Sequence, residues 1–408
     1  MESFAILRIM VLVLATLTWI IVEAAPAKYF NVMDYGAIGD GVIDDSVAFL
    51  RAWNDTCNAE IAGEPTLVVP RKQFFLRPTT FRGPCKSKVH FALFGGLFAP
   101  VGPEEWKKFG DTVKFIEFDY VTGLYIRGAG LIDGHGKGWW DISCRDHPEL
   151  KGRCGTVAPT ALRFHQSSDI HMSHITIRDS PQIHVLLLGC NDVELGDLNI
   201  RSPEGSPNTD GIHIQATNNV FINNSFIGVG DDCVSIGDGI SNVNITYVTC
   251  GPGHGISIGS LGKDGEVVNV SNIHVRHAIF NGTQNGARIK TYQTGRGEIR
   301  DVEFSDIKFI DTGNPIIIDQ YYCGAPNGCP PTKVGVHVNN VLYSEIYGTS
   351  KADVAINFNC SGNVACTGIQ LENIELTSST PGKQVKSTCN NAFGEAKGTI
   401  EPKSCLKT

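Results

Sequence analysis

The chain of 408 residues carries a formal net charge of −8, is 42% hydrophobic and contains 45 glycines. This length is ample for a large core, and no Pro/Ser-rich linker or block of charge interrupts residues 30–400, so one continuous domain is expected. The acidic balance argues against a nucleic-acid partner, because such proteins present a basic surface. An acidic polymer would have to be held by a local cationic patch.

Residues 1–24 are predicted to be a secretory signal peptide, which leaves a mature domain over residues 25–408. An arginine precedes an apolar run from Ile9 to Val22, and Val22 with Ala24 forms a small-x-small cleavage site. An uncleaved membrane anchor is the alternative, but this run is shorter than the roughly 20 residues that a spanning helix needs. We see no other segment that could span a bilayer, so the mature protein is expected to be secreted and free of the membrane.

Cysteines and glycosylation sequons also favour an oxidising compartment. Of the 13 cysteines, 12 form candidate disulfides: Cys57–Cys85, Cys144–Cys154, Cys233–Cys250, Cys323–Cys329, Cys360–Cys366 and Cys389–Cys405. Cys190 is left over and is expected to be buried. No CxxC pair suggests a zinc site; the reaction considered below is expected to need neither a metal nor an organic cofactor. Six N-x-S/T sequons are glycosylation candidates: Asn54, Asn223, Asn244, Asn269, Asn281 and Asn359.

One segment near the N-terminus has helical spacing. Residues 44–57 place Val47, Leu50 and Trp53 on one side of a helix. We expect this short helix to cap the open end of the core formed by the following residues.

From residue 170 onward an eight-residue pattern recurs, in which apolar residues alternate, slip once and alternate again. Copies begin at 170, 193, 243, 273, 302 and 369, with looser copies at 220 and 341. The pattern predicts two short strands joined by a bend, each with one inward face. Repetition every 23 to 39 residues indicates a solenoid. We therefore predict an all-β, single-stranded right-handed parallel β-helix; a β-propeller is the alternative, although its blades usually need ~40–50 residues.

Four polar motifs fall about one repeat apart: "SPNTDG" at 206, "GDDC" at 230, "GPGHGISIGS" at 251 and "RIK" at 288. Clusters of Asp, Asn and Gly are usually ordinary turns. In a solenoid, however, residues one coil apart stack at roughly 4.8 Å, which would bring the motifs into one column on an outer face. Because neighbouring residues of a strand face opposite ways, Asp231 and Asp232 can share a site only if the backbone is irregular at 230–233.

In this order and spacing the motifs resemble the signature of glycoside hydrolase family 28, the polygalacturonases, and most of all its plant members. The resemblance extends to "FNVMDYGAIGDGVIDDSVAF" near the N-terminus, "IDGHGKGWW" at 132–140 and the late "IIIDQYYC". It implies a pectin-lyase-like parallel β-helix, in agreement with the repeat. It also implies that Asp231 is the general acid and that Asp210 and Asp232 activate water in an inverting reaction, which typically leaves roughly 6.5–9.5 Å between acid and base.

The remaining candidates are assigned to positioning and binding. His254 is expected to hold the protonation state of the neighbouring acid, and Arg288 with Lys290 to bind a substrate carboxylate. Tyr322 matches a family tyrosine that contacts the sugar, with Tyr321 as the alternative register. Three further residues are expected to line neighbouring subsites: Gln182, His184 and Asn208. Trp139 and Trp140 are either stacking platforms or packing residues.

The predicted function is hydrolysis of homogalacturonan, an acidic polysaccharide, by a secreted monomer in the cell wall. Endo action is favoured over exo action, and loops within 144–154 and 320–335 are candidates for closing the cleft. Rhamnogalacturonan or xylogalacturonan are alternative substrates. Two rival functions are a pectate lyase, which would use calcium and an arginine base, and an inactive wall-binding paralogue.

Overall fold

Parallel strands stacked in coils make up most of the described chain. The computed structural model describes residues 28–61, 63–110, 113–145, 147–150, 157–323 and 332–408. The predicted signal peptide lies outside these ranges. Within them, the helices are α1 (Ser46–Cys57), α2 (Gly102–Trp106) and α3 (Lys137–Trp140), and short 3₁₀ turns cover Val32–Tyr35, Lys107–Phe109, Pro148–Leu150 and Lys263–Gly265.

The strands follow one another along the chain with short connections. The N-terminal strands are β1 (Tyr29–Asn31), β2 (Asp40–Asp44), β3 (Thr66–Val69), β4 (Gln73–Phe75), β5 (Thr79–Arg82), β6 (Val89–Leu93), β7 (Gly96–Phe98), β8 (Lys114–Asp119), β9 (Thr122–Arg127) and β10 (Leu131–Asp133). The central strands are β11 (Thr160–His165), β12 (Ser168–Ser173), β13 (Thr176–Arg178), β14 (Val185–Leu188), β15 (Asn191–Gly196), β16 (Asn199–Arg201), β17 (Ile212–Gln215), β18 (Asn218–Asn223), β19 (Phe226–Gly228), β20 (Val234–Ile236), β21 (Ile240–Thr246), β22 (Thr249–Cys250) and β23 (Ile256–Leu261). The C-terminal strands are β24 (Val267–Asn281), β25 (Asn285–Tyr292), β26 (Arg296–Thr312), β27 (Asn314–Tyr322), β28 (His337–Ser350), β29 (Val354–Asn359), β30 (Cys366–Ser378), β31 (Lys386–Asn390) and β32 (Ala392–Glu401).

Two sheets share these strands. The described residues form one sheet of 21 strands and a second sheet of 11 strands, which runs from β5 through β8, β11, β14, β17, β20, β23, β25, β27 and β29 to β31. Each coil contributes one strand to the second sheet, as the parallel pairs β14–β17, β17–β20 and β20–β23 illustrate. This regular stacking lays the coils side by side along a continuous outer face.

The bend in the eight-residue pattern is real and has a backbone cause. The fifth residue of successive copies adopts a positive φ, for example 60° at His174, 53° at Asp197 and 42° at Asn224. Asp and Asn tolerate this left-handed conformation better than most residues. β12 ends and β13 begins on either side of such a residue, so the predicted pair of strands joined by a bend is confirmed.

The apolar positions of the pattern stack into the core. Ile170, Val193, Val220, Val243, Ile273, Val302, Val341 and Ile369 are aligned from coil to coil, and each is at most 2% exposed. A coil cannot bury such a face alone, so each depends on its neighbours. The right-handed parallel β-helix is confirmed, and the β-propeller is excluded.

Helix α1 forms as predicted, but its buried side was predicted wrongly in part. Trp53 is buried, whereas Val47 and Leu50 are 45% and 37% exposed. The buried stripe is instead centred on Phe49, whose ring packs edge-on against Phe74 with centroids 5.2 Å apart. Aromatic side chains bury more apolar area than Val or Leu. The helix is therefore oriented with Phe49 and Trp53 toward the core and with Val47 and Leu50 toward solvent.

Four predicted disulfides are confirmed: Cys57–Cys85, Cys233–Cys250, Cys360–Cys366 and Cys389–Cys405. Cys144 and Cys323 are disulfide-bonded, but their predicted partners, Cys154 and Cys329, lie outside the described residues. Cys190 is a buried free thiol, as expected.

The glycosylation candidates occupy different environments. Asn54, Asn269 and Asn281 are exposed, whereas Asn223, Asn244 and Asn359 are partly buried. Their modification stays a prediction. In the part of the chain that the structure describes, helices are all too short or too polar to cross a membrane.

Candidate active site

Three turns on neighbouring coils carry the predicted carboxylates and imidazole. Each turn lies just before a strand of the second sheet: Asp210 before β17, Asp231 and Asp232 before β20, and His254 before β23. Backbone hydrogen bonds tie the turns together, from Gly211 N to Asp232 O at 2.9 Å and from His254 N to Asp231 O at 2.7 Å. The backbone between β19 and β20 is irregular, as predicted for 230–233.

The cations join the site from a different level of the coil than expected. Arg288 aligns with Ser257 in the β23–β25 pair, so it does not stack on His254. The expectation that all four motifs form one column is therefore wrong. The acidic groups lie in the turns that precede the strands, whereas Arg288 and Lys290 lie within a strand. The long side chains of the two cations span this offset and still reach the carboxylates.

Asp232 is buried and fully partnered. Its side chain is 2% exposed, Lys290 Nζ lies 2.8 Å from Oδ2, and Arg288 Nη2 lies 2.7 Å from Oδ1. Ser257 Oγ donates a further hydrogen bond to Oδ1 at 2.7 Å. A buried carboxylate needs such partners, since an unpaired charge in the interior is strongly unfavourable. This arrangement places two cations beside the other acids.

Asp231 is held in its ionised form by two neighbouring side chains. Burial would raise the pKa of its carboxyl, but His254 and then Arg145 outweigh burial and hold that pKa well below its usual range. His254 Nδ1 lies 2.9 Å from Oδ1, and Arg145 Nη1 lies 2.5 Å from Oδ2. Opposite charges at these distances favour the charged form of a carboxyl.

Asp210 shows the opposite behaviour. Burial, followed by repulsion from Asp231 and Asp232, raises the pKa of its carboxyl to about 8. Ser235 Oγ donates a hydrogen bond to its Oδ2 at 2.6 Å and is itself 2.7 Å from His213 Nδ1. Burial lowers the pKa of His213 to about 4, so this ring is neutral near pH 7. The site thus contains a protonated Asp210 beside an ionised Asp231, which is a set of unlike carboxyls suited to acid and base roles.

The donor atoms of Asp231, Asp232 and His254 lie within 4.8 Å of one another, close enough to share a metal ion. Asp232, however, already binds two cationic side chains, and both oxygens of Asp231 accept hydrogen bonds. A divalent cation would have to displace these partners. We therefore assign no metal to this cluster.

An open groove runs over these side chains. A cavity of about 630 Å³ is bordered by Asp210, Asp231, Asp232, His254, Arg288, Lys290 and Tyr322. Lys290 Nζ lies 5.6 Å from the centre of the Tyr322 ring. Tyr321 points elsewhere, because its hydroxyl accepts a hydrogen bond from Gly362 N at 2.9 Å. Of the two registers, Tyr322 is thus the one that faces the groove.

A second cavity continues the groove toward the N-terminal coils. It has a volume of about 330 Å³ and shares Arg145 and Asn208 with the first. Gln182 also borders it, so both Asn208 and Gln182 face the groove. Trp139 borders the same cavity but is only 4% exposed and packs against Trp106, with ring centroids 6.1 Å apart. Packing is therefore the main role of Trp139.

His184 does not line a subsite, contrary to expectation. Its side chain is fully buried, and its ring nitrogens lie near the carbonyl oxygens of Asp210 and Arg201, at 3.0 and 3.3 Å. Burial lowers its pKa to about 4. His184 supports the turn that carries Asp210 from inside. Trp140 likewise bonds the backbone, donating from Nε1 to Ser180 O at 3.1 Å.

Among the described residues, four that hydrogen-bond to the carboxylates directly or through a serine were not singled out from the sequence. His213, Ser235 and Ser257 align with Arg288 along the second sheet, so the register of the "RIK" strand could have revealed them. Arg145 lies on the loop after α3, where no strand register indicates which residues it contacts. Its contact with Asp231 joins residues 86 positions apart.

A parallel β-helix whose open groove combines unlike carboxyls with cations has the groups that hydrolysis of a carbohydrate chain requires. The chain belongs to the glycosyl hydrolases family 28, whose model matches residues 58–400. It is 42% identical to a polygalacturonase from Malus domestica, over 93% of this chain and 80% of that one. It is 41% identical to the polygalacturonase QRT2 from Arabidopsis thaliana, over 92% and 84%. Its fold is similar to that of an exopolygalacturonase from Thermotoga maritima, with a TM-score of 0.71 at 20% identity, covering 94% and 96% of the two chains.

Proposed function

We propose that this protein is a polygalacturonase that hydrolyses α-1,4-galacturonosyl linkages of demethylated pectin. The observation that carries the proposal is the pair of cations, Arg288 and Lys290, held by buried Asp232 at the edge of the acidic groove. An acidic protein can bind a polyanion through such a local positive site, and guanidinium suits a carboxylate well. The curated relatives reported above carry the name polygalacturonase.

The proposed roles are those that the family resemblance implies, and the contacts of each carboxyl support them. Asp231 borders the groove and is the general acid that protonates the leaving oxygen, with His254 positioning it. Asp210 is the base that activates water. Asp232 contributes mainly by holding the two cations, because both its oxygens accept hydrogen bonds from Ser257, Arg288 or Lys290.

The spacing of the acids bears on the stereochemistry. Oxygens of Asp231 and Asp232 lie within 4.8 Å, which is closer than the roughly 6.5–9.5 Å typical of inverting enzymes. A short separation generally accompanies a covalent intermediate. Asp232 is a poor nucleophile, however, since it is buried and ion-paired to Arg288 and Lys290. We therefore propose inversion, with Asp210 as the base.

Endo action is the form of the activity that the groove favours. The catalytic cavity continues past Arg145 and Asn208 into the second cavity, which offers room for sugar units beyond the cleavage point. Parts of both candidate closing loops, in 144–154 and 320–335, lie outside the described residues. The cation pair suits an unbranched uronate chain, and rhamnogalacturonan and xylogalacturonan are the alternative substrates.

Product sizing tests this proposal. Purified protein incubated with polygalacturonate at mildly acidic pH is expected to release a mixture of oligomers first, with a rapid fall in viscosity. Galacturonic acid as the sole early product would refute endo action and indicate exo action. Products absorbing ultraviolet light would indicate a lyase, and the absence of cleavage would favour the non-catalytic wall-binding alternative.

Secretion and action in the cell wall complete the proposal. The predicted signal peptide over residues 1–24 and the confirmed disulfides both suit export. After removal of that segment we expect a monomer without membrane attachment.

A further inference from the structure

Arg145 stands out because, together with His254, it favours the ionised form of the residue that must act as the acid. Its Nη1 lies 2.5 Å from Asp231 Oδ2 and 3.0 Å from Asn208 Oδ1. A carboxyl that donates a proton to the leaving oxygen must first carry one. The contact with Arg145 favours the form of Asp231 that has none.

The position of Arg145 suggests what could draw it away. Its side chain is 41% exposed, against 13% for Asp231, and it borders both cavities of the groove. An arginine with this exposure can exchange one carboxylate for another, because its guanidinium forms an equivalent charge-assisted pair with either. The substrate of the proposed function carries a carboxylate on every sugar.

We propose that Arg145 is a substrate-responsive positioning residue, which binds Asp231 and moves to the carboxylate of a uronic acid unit when that unit binds in the second cavity. This inference rests on the proposed function. Departure of the guanidinium removes one of the two groups that favour the ionised form of Asp231, and Asp231 then takes up the proton held by Asp210, by exchange through groove water. One proton is thereby redistributed: Asp231 becomes the acid and Asp210 the ionised base.

The other cationic and imidazole side chains near Asp231 keep their positions in this scheme. The titratable and charged groups bordering the same cavity are Arg145, Asp210, His213, Asp232, Asp238, His254, Glu266, Arg288, Lys290 and Tyr322. Arg288 and Lys290 are tied to buried Asp232. His254 is tied to the Asp231 turn by its backbone N–H as well as its ring. Arg145 is the more exposed of the two groups that directly counter the buried charge of Asp231.

Arg145→Gln tests the proposal by carboxyl ¹³C NMR, with Asp231 assigned by its loss in Asp231→Asn. The probe is a sulfur-linked trigalacturonate, which is not cleaved, and its neutral methyl ester is the ligand control. Without ligand, the pKa of Asp231 is expected to be higher in Arg145→Gln than in the wild type by about 1 unit or more. The charged probe is expected to raise the pKa of Asp231 strongly in the wild type and much less in Arg145→Gln, and the methyl ester to have little effect.

An equal effect of the charged probe on both proteins would overturn the proposal, as would an unchanged pKa of Asp231 in wild-type protein saturated with the probe.

Kinetics give an independent readout: Arg145→Gln is expected to raise KM for polygalacturonate about tenfold, with Arg145→Lys intermediate. Arg300→Gln, which removes a similarly exposed arginine outside both cavities, should leave KM unchanged. An unchanged KM in Arg145→Gln would contradict the proposal. Failure of the proposed function differs from these results, since the wild type would then not cleave polygalacturonate.

Discussion

Asp231→Asn is expected to lower kcat on polygalacturonate by about 10²- to 10⁴-fold or more, while the protein still folds and binds its substrate. The amide has nearly the same shape as the carboxylate and can still bond to His254, but it has no proton to donate at the pH of the reaction. Reducing-end assays would measure the rate, and binding of polygalacturonate to the inactive variant would measure the affinity.

A matched control for this substitution is Asp192→Asn. Asp192 is exposed, lies outside the groove and has a φ of 55°, a conformation that asparagine adopts readily. Its rate should equal that of the wild type. A rate near wild type in Asp231→Asn would remove Asp231 from the mechanism.

Lys290→Met is expected to reduce the free energy of unfolding by about 3 kcal/mol, in addition to weakening substrate binding. Lys290 is 7% exposed, and its Nζ lies 2.8 Å from Asp232. Removing one partner of a buried ion pair typically costs about 3–5 kcal/mol of stability, because the other charge stays buried without its counter-ion. Arg288 still pairs with Asp232, so we expect a loss at the lower end of this range. Denaturant unfolding would measure the change.

A double substitution separates charge from packing in this prediction. Asp232→Asn combined with Lys290→Met removes both charges, so it should recover part of the lost stability. Lys308→Met, at an exposed position of β26, should change stability by less than about 0.5 kcal/mol. If Lys290→Met unfolds at the same denaturant concentration as Lys308→Met, the ion pair does not stabilise the fold.

The fold could be predicted because its signals are local and repeated. Each copy of the eight-residue pattern indicates which residues face inward. Because the coils stack in register, the same positions face inward in every coil. The prediction of α1 was less successful, since Val47, Leu50 and Trp53 share a side with the spacing of a helix, yet Phe49 determined which side was buried. Helical spacing alone does not weigh side chains by the area they bury.

The site was predictable where the repeat places it. Asp210, Asp231 and His254 meet because they lie about one coil apart, and the side chains of Arg288 and Lys290 reach them despite a register that spacing alone mispredicted. His184 was misassigned because the sequence does not show which way a histidine side chain in a turn points. Its ring points inward, toward backbone carbonyl oxygens. Arg145 could not be predicted, since its position depends on the path of a loop.

The most direct test of the central claim, that this groove hydrolyses polygalacturonate with Asp231 as acid and Asp210 as base, is the configuration of the first product. Proton NMR of a galacturonan digest, recorded before mutarotation, follows the anomeric signal of each new reducing end. Our account predicts the β-anomer, formed by inversion of an α linkage. An initial α-anomer would contradict the assigned base and imply a covalent intermediate, and an unsaturated product would contradict hydrolysis itself.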